Sequence, residues 1–165
     1  MTRITPHLWF DRNAEEAMNY YVSVFKNSKI ISIDRYPDEV PEGPMKGFEG
    51  KVLQGVFELD GQQLRCLDGG PIFTFNESVS FVVECDGQEE VDFYWEKLSA
   101  VPDAEQCGWC KDKFGVSWQV TPKQMADYMG GSDPAGVMRA TQAMLQMKKI
   151  DIAAMEAAYN GTTGA

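Results

Sequence analysis

The sequence predicts an α+β fold in which a strand-helix-strand-strand-strand module is followed by a shortened copy of itself and by C-terminal helices. Three observations lead to this prediction. Two amphipathic helical segments each follow a strand-like run, alternating strands separated by turn residues follow each helix, and the pattern becomes helical after Pro122. We predict a domain at residues 1–122, with modules at about 1–70 and 78–122, and a helical extension at 123–165.

The first module begins with a predicted strand at 4–10 and a helix that starts after Asn13. Glu16 stands three residues after Asn13, which is the spacing of a capping box. The Asp60-Gly61 pair is a favoured two-residue hairpin turn. The remaining predicted elements are strand 30–36, a proline- and glycine-rich loop at 37–50, strand 51–59 and strand 62–68.

The second module repeats this pattern with one strand in doubt. A strand at 79–85 precedes a helix whose cap we expect at Asp86, with Glu89 in the capping-box position. Only residues 99–104 are available for a counterpart of strand 30–36, so we expect that strand to be short or missing. The elements that follow are a hairpin of strands 105–111 and 116–121, and helices near 125–129, 137–147 and 150–158.

Length, charge and composition limit the possible functions. The chain has 165 residues, a formal net charge of −10 and one histidine. A domain of this size folds without disulfides. Nucleic acids and anionic membrane surfaces attract cationic proteins, so we expect neither as a partner.

The N-terminus and the cysteines predict a cytoplasmic protein. The first ten residues lack the apolar core of a secretory signal, and no run approaches the length of a membrane span. We therefore expect reduced thiols at all four cysteines. Cys107 and Cys110 form a CxxC pair, but it has no second ligand pair and falls in a predicted strand, which disfavours zinc and redox roles.

Alternation along the strands predicts a ligand pocket. Leu8 and Phe10 are suited to packing on a helix, so the side chains between them point to the other face of the sheet. The last strand separates aliphatic from polar positions in the same way. A sheet that is polar and aromatic on one face predicts a concave pocket. Its expected lining is His7, Trp9, Ser117 and Gln119.

Three segments carry a resemblance to a known family. They are Leu8-Trp9-Phe10 with the helix start at 13–17, Leu67-Asp68-Gly69-Gly70 through Phe75-Asn76-Glu77 to Ser80, and Gly-Trp-x-Lys-Asp-x-Phe-Gly-Val-Ser-Trp-Gln at 108–119. Together they resemble the PhnB-like branch of the vicinal oxygen chelate superfamily, which also contains glyoxalase I, extradiol dioxygenases and bleomycin-resistance proteins. This branch is often labelled 3-demethylubiquinone-9 3-methyltransferase.

The resemblance implies paired βαβββ modules that form a cup-shaped, mostly antiparallel sheet in a homodimer. It also implies metal-ligand positions on the first and last strand of each module, here His7, a residue near Cys66, a residue near Ser80, and Gln119. Only His7 and Gln119 are ordinary ligands, whereas an open catalytic site needs about three. We therefore predict no cofactor and no firmly held metal.

The methyltransferase label has no support in the residues. Methyl transfer from S-adenosylmethionine usually calls for a glycine-rich turn between a strand and a helix. The nearest stretch is Asp68-Gly69-Gly70-Pro71, and no predicted helix follows it.

The leading functional hypothesis is binding of a small organic molecule, as in the antibiotic-sequestering members of the superfamily. The alternative is a lyase, isomerase or dioxygenase that holds a divalent metal at His7 and Gln119. A third reading is an interaction module that uses Met138, Met144 and Met147. The sequence identifies no catalytic residue, and the predicted ligand contacts are His7, Trp9, Ser80, Trp109, Ser117 and Gln119.

Overall fold

The computed structural model describes residue 2 and residues 4–162. The chain forms two compact units, residues 1–75 and residues 76–165. Within the described residues, none of the helices has the length and apolar character needed to cross a membrane.

The first unit is a strand-helix-strand-strand-strand module, as predicted. Its sheet has the strand order β1-β4-β3-β2, in which β1 and β4 are parallel and the other neighbours are antiparallel. The first strand begins three residues later than predicted. The elements are β1 (His7–Phe10), α1 (Ala14–Val24), β2 (Lys29–Arg35), β3 (Val52–Leu59) and β4 (Gln62–Asp68).

The core of this unit lies between α1 and the sheet. Tyr21 of α1 is almost fully buried, and its ring stacks on Phe57 of β3 with 6.4 Å between the centroids. Gly55 on β3 allows this close packing, because a Cβ there would lie 2.7 Å from the sulfur atoms of both Met18 and Cys66. The apolar face of α1 is therefore covered by the sheet, as its sequence pattern predicts.

The start of α1 is fixed by a distant residue. Asn13 stands at the N-cap, but its side chain makes no capping hydrogen bond. The carboxylate of Asp68, at the end of β4, accepts a hydrogen bond of 2.9 Å from the Ala14 N–H and one of 3.0 Å from the Val52 N–H. The predicted capping role of Asn13 is wrong, because a buried carboxylate from β4 satisfies the helix terminus instead.

The second unit contains the shortened copy. Its sheet has the order β5-β7-β6, with β5 and β7 parallel and β6 and β7 antiparallel. A 3-10 helix at Pro102–Ala104 lies where the counterpart of β2 would be, and no strand occurs between α2 and β6 in this described stretch. The elements are β5 (Phe81–Cys85), α2 (Gln88–Leu98), β6 (Trp109–Lys111) and β7 (Ser117–Pro122).

Helix α2 begins one residue later than expected. Gly87, with φ of 90°, is the N-cap, and the Asp86 N–H donates to the Glu90 carboxylate at 2.8 Å. The predicted Asp86 cap with Glu89 is therefore wrong. A glycine at φ near 90° lets the chain turn sharply from β5 into the helix.

Three further helices complete the second unit: α3 (Met125–Met129), α4 (Pro134–Met144) and α5 (Ile152–Asn160). Met144 and Met147 pack on a buried cluster of Ala140, Ile150 and Met155. Met138 is 60% exposed. Two of the three methionines considered for an interaction surface therefore belong to the packing among these helices.

Candidate ligand-binding site

The register of the second sheet brings four of the six predicted contact residues to one face. Trp109 of β6 lies opposite Gln119 of β7, and Lys111 lies opposite Ser117. Cross-strand partners project to the same side of a sheet. Ser80, just before β5, accepts a hydrogen bond of 2.9 Å from the Gln119 side-chain amide. Ser80, Trp109, Ser117 and Gln119 therefore form one polar and aromatic face.

The other face of this sheet is apolar. Trp118 and Val120 of β7 are buried, and the Trp118 ring lies 5.3 Å from that of Phe81 on β5. Helix α2 packs here, with Val91 and Leu98 buried. The alternation predicted for the last strand is confirmed.

A cavity of about 500 Å³ opens beside Trp109 and Ser117. Ser117 is 2% exposed, and its hydroxyl has no hydrogen-bond partner within the described residues. Leaving a buried hydroxyl unpaired costs about 1–3 kcal/mol. The polar and aromatic side chains that line the cavity include those of Glu77, Asp103, Gln106, Cys107, Trp109 and Ser117.

A tight turn holds Trp109 at the cavity. Gln106 and Trp109 exchange backbone hydrogen bonds of 2.8 and 3.1 Å, and Cys107 and Gly108 between them have φ of 51° and 83°. Cys107 therefore lies at the tip of the turn, whereas Cys110 is buried in β6. Burial, followed by the charge of Asp112, raises the pKa of the Cys110 thiol to about 12, so Cys110 is protonated at neutral pH and is not a reactive thiol.

Asp112 builds the hairpin that delivers Ser117 to the cavity. The carboxylate is 1% exposed. One oxygen accepts hydrogen bonds from the N–H groups of Phe114 and Val116, at 2.8 and 3.0 Å, and the other accepts from the Trp118 indole at 2.8 Å. The family segment at 108–119 therefore serves in large part to hold this hairpin.

His7 and Trp9 lie in the first unit and share a face of its sheet. His7 is exposed and pairs in register with Arg65 on β4. Partial desolvation, and then the charge of Arg65, lower the pKa of His7 below its usual value. The Trp9 indole donates a hydrogen bond of 2.9 Å to the Gly70 carbonyl, and its ring meets Phe73 edge-on at 5.0 Å.

The residues at the superfamily's metal positions do not fit a divalent metal. Cys66 pairs with Leu8, so its thiol lies on the helix side of the sheet, opposite to His7. Burial, and then the charge of Asp68, raise the pKa of Cys66 to about 12. Gln119 already hydrogen-bonds to Ser80. Across the described residues, no three His, Cys, Asp or Glu side chains converge as a metal site would require.

The glycine-rich turn after β4 is occupied by the protein itself. The Gly69 and Gly70 N–H groups donate to the carbonyls of Phe10 and Asp11, at 2.8 and 3.0 Å. A Cβ at Gly69 would lie 2.2 Å from the Trp9 ring. No helix follows this turn, so it does not offer the free N–H groups of a nucleotide-binding loop.

Four of the polar lining side chains named above were not predicted as ligand contacts: Glu77, Asp103, Gln106 and Cys107. Glu77 lies within a family segment, but nothing marked it as a contact. Asp103 and Gln106 lie in or near the stretch where a strand was in doubt. Only the 3-10 helix and the Cys107-Gly108 turn bring them to the cavity.

The topology and the paired modules define a protein of the glyoxalase-like, vicinal oxygen chelate class. A Bacillus cereus structure described as a putative 3-demethylubiquinone-9 3-methyltransferase, PhnB protein, is 40% identical, with 73% of this chain and 99% of that chain covered and a TM-score of 0.61. A Pseudomonas aeruginosa structure, 18% identical with 74% and 98% covered and a TM-score of 0.57, supports the fold alone. No protein of curated function matches the sequence.

The family model described as 3-demethylubiquinone-9 3-methyltransferase matches residues 2–121. The chain therefore belongs to this family, in its PhnB-like branch. The matched region ends within β7, so the helices α3 to α5 lie beyond it.

Proposed function

We propose that this protein binds a small organic molecule in the cavity of its second unit, without a tightly held metal. The observation that carries the proposal is the Ser117 hydroxyl, which is buried at the cavity without a protein partner in the described chain. A ligand would supply that hydrogen bond. The Trp109 ring offers a flat apolar surface beside it, and the Ser80–Gln119 pair offers further polar groups on the same face.

The chemistry of the donor set favours binding over metal-dependent catalysis. A lyase, isomerase or dioxygenase of this superfamily would need further ligands near Cys66 and Ser80, and these two residues carry a protonated thiol and a hydroxyl. A methyltransferase activity has no support at the turn after β4, because its N–H groups are hydrogen-bonded within the protein and not free to bind a nucleotide cofactor. His7 and Trp9 remain predicted ligand contacts.

The proposal also includes a cytoplasmic homodimer. The superfamily resemblance supports the dimer, and the four free cysteines are in keeping with a reducing compartment. Sedimentation of the full chain should give about twice the 18.5 kDa monomer mass. A monomer at all accessible concentrations would contradict the dimer and leave the binding proposal in place.

The binding site is testable by NMR because the chain has four tryptophans, each of which gives one indole N–H signal. We would screen a library of small aromatic fragments against the 15N-labelled full chain. Binding fragments should move the Trp109 signal and leave the Trp118 signal in place, because Asp112 holds that indole.

Matched serine variants separate the site from nonspecific binding. Ser117→Ala should weaken the fragments that move the Trp109 signal, whereas Ser32→Ala, at an exposed position on β2, should not. Fragments that move only the other tryptophan signals, or that bind both variants equally, would contradict the proposed site.

A further inference from the structure

We infer that the cavity of the second unit selects a cationic aromatic ligand, in which a protonated aliphatic amine is joined to a flat aromatic ring. This inference rests on the proposed function and names its ligand class. It depends on three features of the cavity: the negative charge of its lining, the half-buried ring of Trp109, and the buried hydroxyl of Ser117.

The lining is acidic. Two carboxylates, Glu77 and Asp103, line the cavity, and no Lys, Arg or His is among its lining residues. Glu77 forms an ion pair with Lys111, which neutralises it in part. The Asp103 carboxylate, on the exposed 3-10 helix, has no hydrogen bond or ion pair to another described residue. Asp103 is therefore the charge that is available to a bound cation.

The tryptophan suits a cation as well as a ring. Trp109 is half-buried at the cavity, and its indole N–H has no partner within the described residues. The face of an indole attracts ammonium groups and also stacks on aromatic rings. By contrast, the indoles of Trp9 and Trp118 are both held by internal hydrogen bonds.

The buried hydroxyl is the independent sign of a ligand. Ser117 is 2% exposed and its oxygen is unpartnered in the described chain, so the cavity contains a polar group that only a bound molecule or water can satisfy. A hydroxyl accepts a hydrogen bond from an ammonium group or donates one to a ring heteroatom. Both options are compatible with a small heteroaromatic amine.

The charge of the whole chain acts in the same direction. A net charge of −10 raises the local concentration of cations and repels anions. Salt screens this contribution, and it also weakens a contact with the exposed Asp103 carboxylate. A variant of Asp103 and a control variant with the same change in net charge therefore separate the two contributions.

Three probes with the same phenyl ring test the inference: 2-phenylethylamine, 2-phenylethanol and phenylacetate. Each is titrated into the full chain at physiological salt, and the Trp109 indole signal is followed. We expect the amine to bind about two- to fivefold more tightly than the alcohol, and phenylacetate to bind most weakly. The amine preference should shrink, and not vanish, in high salt.

The charge variants are Asp103→Asn and, as a matched control with the same change in net charge, Asp127→Asn on α3. Asp103→Asn should remove most of the preference for the amine over the alcohol, and Asp127→Asn should preserve it. An unchanged Trp118 indole signal checks that each variant is folded.

Three results would overturn the inference. The first is that 2-phenylethanol or phenylacetate binds at Trp109 as tightly as the amine does. That result would leave the proposed function intact and contradict the cationic ligand class. The second is an equal loss of preference in both charge variants. If none of the three probes moves the Trp109 signal, the cationic class is also overturned, and the fragment screen alone decides the proposed function.

Discussion

Ser117 carries a hydroxyl that burial has separated from water without giving it a protein partner in the described chain. We predict that Ser117→Ala leaves the free energy of unfolding unchanged or raises it by up to about 1 kcal/mol, because the variant no longer buries an unpaired group. Urea denaturation measures this.

The control for Ser117 is Ser80→Ala. It removes the acceptor of the Gln119 amide and should lower the free energy of unfolding by about 1 kcal/mol. A loss of more than about 2 kcal/mol in Ser117→Ala would mean that its hydroxyl is satisfied in the free protein.

His7 is the single histidine, so its ring proton gives one NMR signal that reports its protonation. Its pKa is lowered by desolvation and by Arg65, so the unfolded chain binds the proton more readily than the folded one. The His7 contribution to stability is therefore present above pH 6.5 and is lost as the pH falls through the folded pKa.

We expect the His7 signal to titrate below pH 6.5 and Arg65→Gln to move the midpoint upward. The free energy of unfolding of His7→Gln should depend less on pH in the same range. A midpoint above 6.5 in the unsubstituted protein would contradict the desolvation argument.

At the scale of single elements, two buried aspartates organise the two modules. Asp68 ends β4 and holds the starts of α1 and β3, whereas Asp112 follows β6 and holds the turn into β7. In each case the carboxylate accepts backbone N–H groups that would otherwise be unpaired at the end of a helix or strand. Two residues of the family segments, Asp68 and Asp112, thus hold the chain where one element follows another.

We predict that Asp112→Asn lowers the free energy of unfolding by about 3 kcal/mol, because an amide cannot accept the three hydrogen bonds that the carboxylate accepts. Asp103→Asn is the control and should change it by less than about 0.5 kcal/mol, because Asp103 is exposed. Urea denaturation and the Trp118 indole signal report the two effects. Equal stability of the two variants would mean that Asp112 does not hold the hairpin.

The positions of α1 and α2 could be predicted from the sequence, but not what holds their N-termini. The capping-box spacing predicts that the Asn13 side chain caps α1, with Glu16 three residues later. The first N–H group of the helix instead donates to the carboxylate of Asp68. The spacing of a capping box describes only local geometry. A cap supplied by another strand depends on the pairing of β1 with β4, which no local pattern contains.

At the scale of the whole molecule, the metal content separates the binding proposal from its alternative. The full chain, purified without chelators, should contain well under one equivalent of zinc, nickel, manganese or iron by elemental analysis, because only His7 and Gln119 are ordinary ligands at or near the superfamily's ligand positions. Adding these metals should not raise the melting temperature. A stoichiometric metal that is lost in His7→Ala would support the metal-dependent enzyme instead.

Periodicity and turn residues are local, and they were enough to predict the module, its shortened copy and the face of β7 that carries Ser117 and Gln119. Three other features became visible only in the folded chain: Asp68 caps α1, Cys66 lies on the helix side of the sheet, and the cavity at Ser117 is acidic. Each of these depends on strand register or on a turn that brings distant residues together, and the spacing of neighbouring residues contains no information about either.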